Sequence, residues 1–105
     1  MKEQNNSHLL SGIKVIDAAS FIAGPTAATI MSDYGAEVIK IEPQTGDSLR
    51  NLITNGRMPE GPENYCWELT SRNKKSISLN LKDQKAHEIL VDLIKDADVF
   101  ITNMP

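Results

Sequence analysis

Lys14-Val15-Ile16-Asp17-Ala18-Ala19-Ser20, followed at once by Phe21-Ile22-Ala23-Gly24-Pro25, is the stretch on which the fold turns. The first seven residues contain no breaker and read as a strand. The Gly-Pro pair then ends the strand and opens a helix predicted over residues 25–34. Proline suits a first helical position, where its missing N–H is not needed, and Gly35 stands where a glycine C-cap belongs. Ala27, Ile30, Met31 and Tyr34 fall on one helical face and are expected to be its apolar side. Ala27 and Ala28 are small enough to let the helix lie close to a sheet.

Working outward, Glu37-Val38-Ile39-Lys40-Ile41-Glu42 reads as a second strand stopped by Pro43. Residues 44–62 hold three glycines and two prolines and are expected to form a loose connection, longer than ordinary loops. A short helix is expected over residues 63–72. Ser76-Ile77-Ser78-Leu79-Asn80-Leu81 alternates strictly, with Ile77, Leu79 and Leu81 on one face, and predicts a third strand near a sheet edge. A helix over residues 84–95, capped by Asp83, carries the stripe Ala86, Ile89, Leu90, Leu93, Ile94. Residues 98–102 form the fourth strand.

Strands alternating with helices imply an α/β fold with a parallel sheet and right-handed crossovers. The expectation is a Rossmann-like sheet of about four strands with flanking helices, strand one between strands two and four, and strand three at an edge. Ligands of such sheets bind beyond the carboxyl ends of the strands where the winding reverses. Here that point falls between residues 20–25 and Asn103-Met104.

Composition bounds the function. The chain has 105 residues, 40% apolar and 24% charged, with a net charge of −3, so no general field attracts nucleic acid. Cys66 is the only cysteine, which excludes an internal disulfide and fits a reducing cytoplasm. It reads as a small, half-buried apolar side chain. No apolar run approaches the roughly 18 residues of a membrane span. Residues 1–9 are expected to be a disordered tail and residues 10–105 one domain.

Candidate functional residues divide by environment. The Ile22-Ala23-Gly24-Pro25 turn before a helix N-terminus is either an anion cradle or a plain tight turn. A dinucleotide fingerprint needs three spaced glycines, and only Gly24 is present, although Glu42 stands where a ribose-binding acid would. Otherwise Glu42 is a strand-end carboxylate in solvent. Asp17, inside strand one, is expected to cap a neighbouring backbone turn. Arg72, Lys74 and Lys75 form either a solvated run or a phosphate-neutralising cluster, and Lys82 is equally open. His8 and His87 lack metal-ligand spacing, so no metal is expected.

The ordered set Leu10-Ser11-Gly12-Ile13-Lys14-Val15-Ile16-Asp17, Ala23-Gly24-Pro25, Gly35-Ala36-Glu37-Val38-Ile39-Lys40-Ile41-Glu42, Gly46-Asp47, Asn73-Lys74-Lys75-Ser76, Leu79-Asn80-Leu81-Lys82 and Ala97-Asp98-Val99 resembles the family III CoA-transferases, the group that also holds α-methylacyl-CoA racemase. The resemblance implies the N-terminal portion of a larger CoA-binding domain, truncated at residue 105. It implies coenzyme A as the acyl carrier, acyl-CoA and carboxylic acid substrates, and an interlocked homodimer for the full-length protein.

The nucleophilic aspartate of the family is expected beyond Pro105, so no catalytic residue is assigned here and the fragment alone is expected to be inactive. In the implied mechanism that aspartate forms an anhydride and then an aspartyl-CoA thioester. The family's CoA contacts fall on Ile22, Ala23, Leu79, Asn80, Leu81, Lys82, Asn103 and Met104, with Lys82 as the phosphate partner. Pro43 and Met104 depart from the family, which often has Arg and an aromatic residue there. The long connection at 44–72 resembles transferases that act on 2-hydroxy acids such as phenyllactate. Racemisation of a 2-methylacyl-CoA is the alternative within the family. Apart from the resemblance, a stand-alone nucleotide-binding module fits the same residues.

Overall fold

The computed structural model describes residues 8–105. Its elements run β1 Lys14–Asp17, α1 Ala23–Asp33, β2 Glu37–Glu42, α2 Tyr65–Thr70, β3 Lys74–Ser78, α3 Gln84–Lys95 and β4 Val99–Ile101. The four strands are all parallel in the order β3-β2-β1-β4, so β1 is central and β3 is an edge, as the alternation in its sequence predicts. The expected tail at residues 1–7 lies outside the described residues. His8 and Leu9 are described, and the His8 carbonyl accepts the Ser11 N–H at 3.2 Å.

Alternation along the strands sends successive side chains to opposite faces. One face buries Ile16, Ala18, Ile41 and Leu79 against Ala86 and Leu90 of α3. The other buries Val15, Val38 and Ala36 against Ala28 of α1. The α3 prediction holds in bounds and cap: the Asp83 carboxylate accepts the Lys85 N–H at 3.0 Å.

Three sequence expectations are corrected. The buried side of α1 is Pro25, Ala28, Thr29 and Ser32, while Ile30 and Tyr34 are exposed. The helix presents small and hydroxyl residues because their hydroxyls bond backbone: Thr29 Oγ1 lies 2.9 Å from Pro25 O and closer still to Thr70 O of α2, and Ser32 Oγ donates to Thr29 O at 2.6 Å. Hydroxyls satisfied in this way tolerate burial. β3 spans Lys74–Ser78, not 76–81, because its pairing with β2 runs from Val38↔Lys74 to Glu42↔Ser78 and stops where Pro43 ends β2. Its apolar alternation nevertheless continues past the strand, since Leu79 and Leu81 join the α3-side core. β1 ends at Asp17, three residues early, although Ala18 N–H still reaches Ile101 O at 2.9 Å.

The α1 face of the sheet also buries charge. Asp17 and Lys40 are register partners on β1 and β2, and their side chains are 0% and 1% exposed. Lys40 Nζ lies 3.6 Å from Asp17 Oδ1, and Lys74 Nζ reaches over β2 to Asp17 Oδ2 at 2.8 Å. Lys74 Nζ also donates to Pro25 O at 2.8 Å, and Ala19 N–H donates to Asp17 Oδ1 at 3.1 Å. Asp17 does cap a turn, then, but its main partners are two lysines. Burial pushes the Lys74 ammonium below the ordinary lysine range, opposed by its hydrogen bond and charge attraction to Asp17.

Removing one partner of a buried ion pair strands the other, at about 3–5 kcal/mol. Asp17→Ala, which strands two lysines, is expected to lose at least that much in urea denaturation. The double change Asp17→Leu with Lys74→Met should recover part of the loss, because an apolar replacement leaves less charge uncompensated. A single mutant within about 1 kcal/mol of the parent would contradict the assignment.

Candidate functional site

A groove of about 650 Å³ opens at the carboxyl ends of β1, β2 and β3. Ala18, Ala19 and Ser20 form one wall, the chain from Ile41 to Thr45 with Asp47 forms the second, and Leu79, Asn80, Leu81 and Lys82 form the third; Met104 stands at one end. Its size is that of a small-molecule site, and its location is the one parallel sheets use for ligands.

Of the residues singled out in the sequence, Leu79, Asn80, Leu81, Lys82 and Met104 line this groove. The Asn80 side-chain oxygen accepts the Lys82 N–H at 3.2 Å, which shapes the turn into α3 and leaves the Lys82 ammonium in solvent. Ile22, Ala23 and Asn103 do not line it. Asn103 instead closes the winding reversal, accepting from Ser20 N at 2.9 Å and donating to Ser20 O at 2.8 Å. A Cβ added at Gly24 would meet Ala19 Cβ at 2.5 Å and Ile101 Cγ2 at 3.4 Å, so packing fills the space there. The cavity is therefore displaced from the β1/β4 crevice toward β2 and β3. Gly24 serves close packing of α1 on the sheet, which the sequence alone leaves open between a turn and a cradle.

The cations before β3 are not a free cluster. Arg72 forks onto Asp33 at 2.6 and 3.1 Å, Lys74 pairs with Asp17, and Lys75 Nζ lies 2.9 Å from Glu37. Lys82 is the cation lining the groove that, among the described residues, makes no ion pair. No group of three or more metal-ligating side chains is arranged for a metal among the described residues.

Glu42 is corrected from a solvated strand end to a buried carboxylate. Arg50 donates to it through Nε at 2.9 Å and Nη2 at 2.8 Å. Ser76 Oγ adds a bond at 2.5 Å and the Asp47 N–H another at 3.0 Å. Every acceptor site on Glu42 is thereby engaged, which removes it as a ribose ligand. Arg50 in turn stacks on Trp67, 4.1 Å from the ring centroid, and its carbonyl accepts from Asn64 Nδ2 at 2.8 Å. Residues 44–62, expected to be loose, are tied to the sheet by these contacts and fold as successive turns, with Asn55 N–H on Asn51 O at 2.9 Å. Asp47 completes the wall and is held 3.1 Å from the buried Lys40; neither is a candidate in the sequence reading. Charged residues at alternate positions of an inner strand, Lys40 and Glu42, are the signal that marks them.

CoA-transferase family III matches residues 10–105 of this chain. The chain is 46% identical over 101 residues to a cinnamoyl-CoA:phenyllactate CoA-transferase of Clostridium sporogenes, covering 95% of this chain and 24% of that protein. It is 45% identical over 97 residues to a (R)-2-hydroxy-4-methylpentanoate CoA-transferase of Clostridioides difficile, covering 91% of this chain and 24% of the relative. A crystal structure of a CAIB/BAIF family protein from Brucella suis superposes with a TM-score of 0.78 at 30% identity, over 92% of this chain and 26% of that one. The chain belongs to CoA-transferase family III, and it spans about a quarter of the length of these curated relatives.

Burial would raise the Glu42 pKa, but the bonds from Arg50, Ser76 and Asp47 N–H outweigh it and hold the carboxyl down to about 2, against an ordinary 4.5. A depressed folded pKa contributes stability above the unfolded value and loses it as pH falls through the folded one. Stability should therefore drop between pH 4.5 and about 2, with Glu42 accounting for about 3 kcal/mol of the fall. Denaturant titrations across that window should show a clearly smaller pH-dependent loss in Glu42→Gln. An unchanged slope would contradict the assignment.

Proposed function

We propose that this chain holds the nucleotide part of CoA in an enzyme that moves CoA from an acyl-CoA thioester to a free carboxylic acid. One observation carries the reading: in a chain matched by CoA-transferase family III along almost its whole length, a groove of about 650 Å³ opens at the ligand-binding end of the sheet with Lys82 exposed on its rim. The apolar surfaces of Ala18, Ala19, Ile41 and Leu79 suit a flat base, and the thioether of Met104 suits a ring edge. The Lys82 ammonium suits a phosphate, bound at a remove from the reacting thioester. Ile22, Ala23 and Asn103 would act from the adjoining turn, where Ile22 and Ala23 are exposed beside the groove.

The proposed reaction begins when an aspartate carboxylate attacks the thioester carbonyl and expels the CoA thiolate, leaving a mixed anhydride. The thiolate then attacks the aspartyl carbonyl, releasing the first acid and forming an aspartyl thioester. The acceptor carboxylate repeats both steps and restores the aspartate. Asp17 and Asp47 cannot serve as that nucleophile, since they are 0% and 2% exposed and held against lysines. As the family resemblance implies, the reading assigns no nucleophile within these residues and places it elsewhere in the full-length protein. The acceptor class we favour is 2-hydroxy acids, because two relatives at 46% and 45% identity are named for such acids.

Calorimetric titration of this chain with CoA, NAD and ATP tests the binding reading. CoA is expected to bind preferentially, and Lys82→Ala to weaken it by about fivefold, as for an exposed ion pair of about 1 kcal/mol. Tight NAD binding without CoA binding would overturn the reading.

A further inference from the structure

We propose that Asp47 is a positioning residue for the groove, holding two of its walls in register by fixing Phe21 in the left-handed conformation. The proposal rests on the reading of the groove as the CoA site.

Two non-glycine residues among those described have positive φ, Phe21 at 70° and Asn73 at 67°. Asparagine takes that region readily, whereas a bulky residue there is an outlier that surrounding structure must impose. The Phe21 ring does not impose it, because the residue is 43% exposed. The constraint comes from the backbone. Phe21 N–H donates to Asp47 Oδ1 at 3.1 Å, and the same oxygen accepts Leu49 N–H at 2.9 Å. The other oxygen, Oδ2, lies 3.1 Å from Lys40 Nζ, which donates to Ala19 O at 2.6 Å. Asp47 itself is 2% exposed.

These contacts form a lace across the floor of the groove. Ala19 and Ser20 belong to one wall, and Thr45 and Asp47 belong to the facing wall. Asp47 reaches the first wall through Lys40 at Ala19, and it holds the Phe21 N–H immediately after Ser20. Phe21 also sets where α1 begins, since Ile22 is its N-cap and no side chain caps it. Loss of the carboxylate would let Phe21 relax to negative φ, and the turn carrying Ser20, Ile22 and Ala23 would shift against the β2 wall.

The test uses Asp47→Ala, Phe21→Gly and the double variant in this chain, with two readouts. Amide hydrogen exchange at Phe21, compared with Val38 in β2, reports the turn; calorimetry reports CoA. Asp47→Ala, which removes the oxygen that accepts the Phe21 N–H, is expected to speed exchange at Phe21 about tenfold or more while Val38 stays protected, and to weaken CoA about tenfold, the effect of losing one charge-assisted contact. Phe21→Gly in the Asp47→Ala background should recover part of that affinity, since glycine takes positive φ without strain. A merely structural role would lower stability without this rescue.

Unchanged Phe21 exchange, unchanged CoA affinity, or a double variant no better than Asp47→Ala would overturn the proposal. If Asp47→Ala is unfolded by circular dichroism, trimethylamine oxide, which favours the compact state, keeps the comparison measurable. If the parent binds no CoA while Asp47→Ala still frees the Phe21 amide, the CoA reading falls and the hold of Asp47 on the turn stands.

Discussion

The structure depends on a line of charge buried where a parallel sheet normally buries only apolar side chains. Asp17 on β1, Lys40 on β2 and Lys74 on β3 meet under α1, with Asp47 and Glu42 extending the line toward the groove. Each charge is taken from water, so each is tolerable only while its partners stay in place. That makes the network a device for register. A slip of one residue between β1 and β2 would separate Asp17 from Lys40 and also turn every core side chain to the wrong face.

The same network builds the site. Glu42 takes Arg50 in a fork, Arg50 lies on Trp67, and Asp47 takes the backbone of the first turn. The first part of a long connection that is rich in glycine and proline, residues 44–50, is thus tied to the sheet and supplies a wall of the groove. The charges that hold it are consumed internally, which leaves Lys82 on the rim without an ion pair among the described residues. With a net charge of −3, the anion binding proposed for the groove would rest on that one placed cation and not on a general field.

The displacement of the groove from the winding reversal has a local cause. Asn103 pairs with both backbone groups of Ser20 and draws β4 against the first turn. Gly24 admits α1 to the same place. The crevice that topology alone would choose is narrowed by these contacts, and the groove lies one strand over, where Pro43 ends β2 and the chain swings outward.

Much of this was legible in the residues. Element α3 and the edge position of β3 follow from patterns of period 3.6 and 2, because those patterns reflect which side faces a core; β2 follows from its apolar run stopped by Pro43, the Asp83 cap from residue type, and the strand order from the usual winding of alternating strands and helices. The family resemblance pointed to Leu79, Asn80, Leu81, Lys82 and Met104, which the structure gathers at one groove. The partners of buried charge were not legible. Asp17 and Lys74 are 57 residues apart in sequence, and only sheet pairing brings them to 2.8 Å. The buried face of α1 was not legible because Thr29 and Ser32 satisfy their hydroxyls on backbone carbonyls of α1 and α2, something a hydrophobicity pattern does not register. Sequence determined which elements form and which way their apolar sides point, since both depend on local periodicity. Tertiary structure alone decided which charges neutralise each other and therefore which cation at the groove stays unpaired among the described residues, because that is settled by distances between strands.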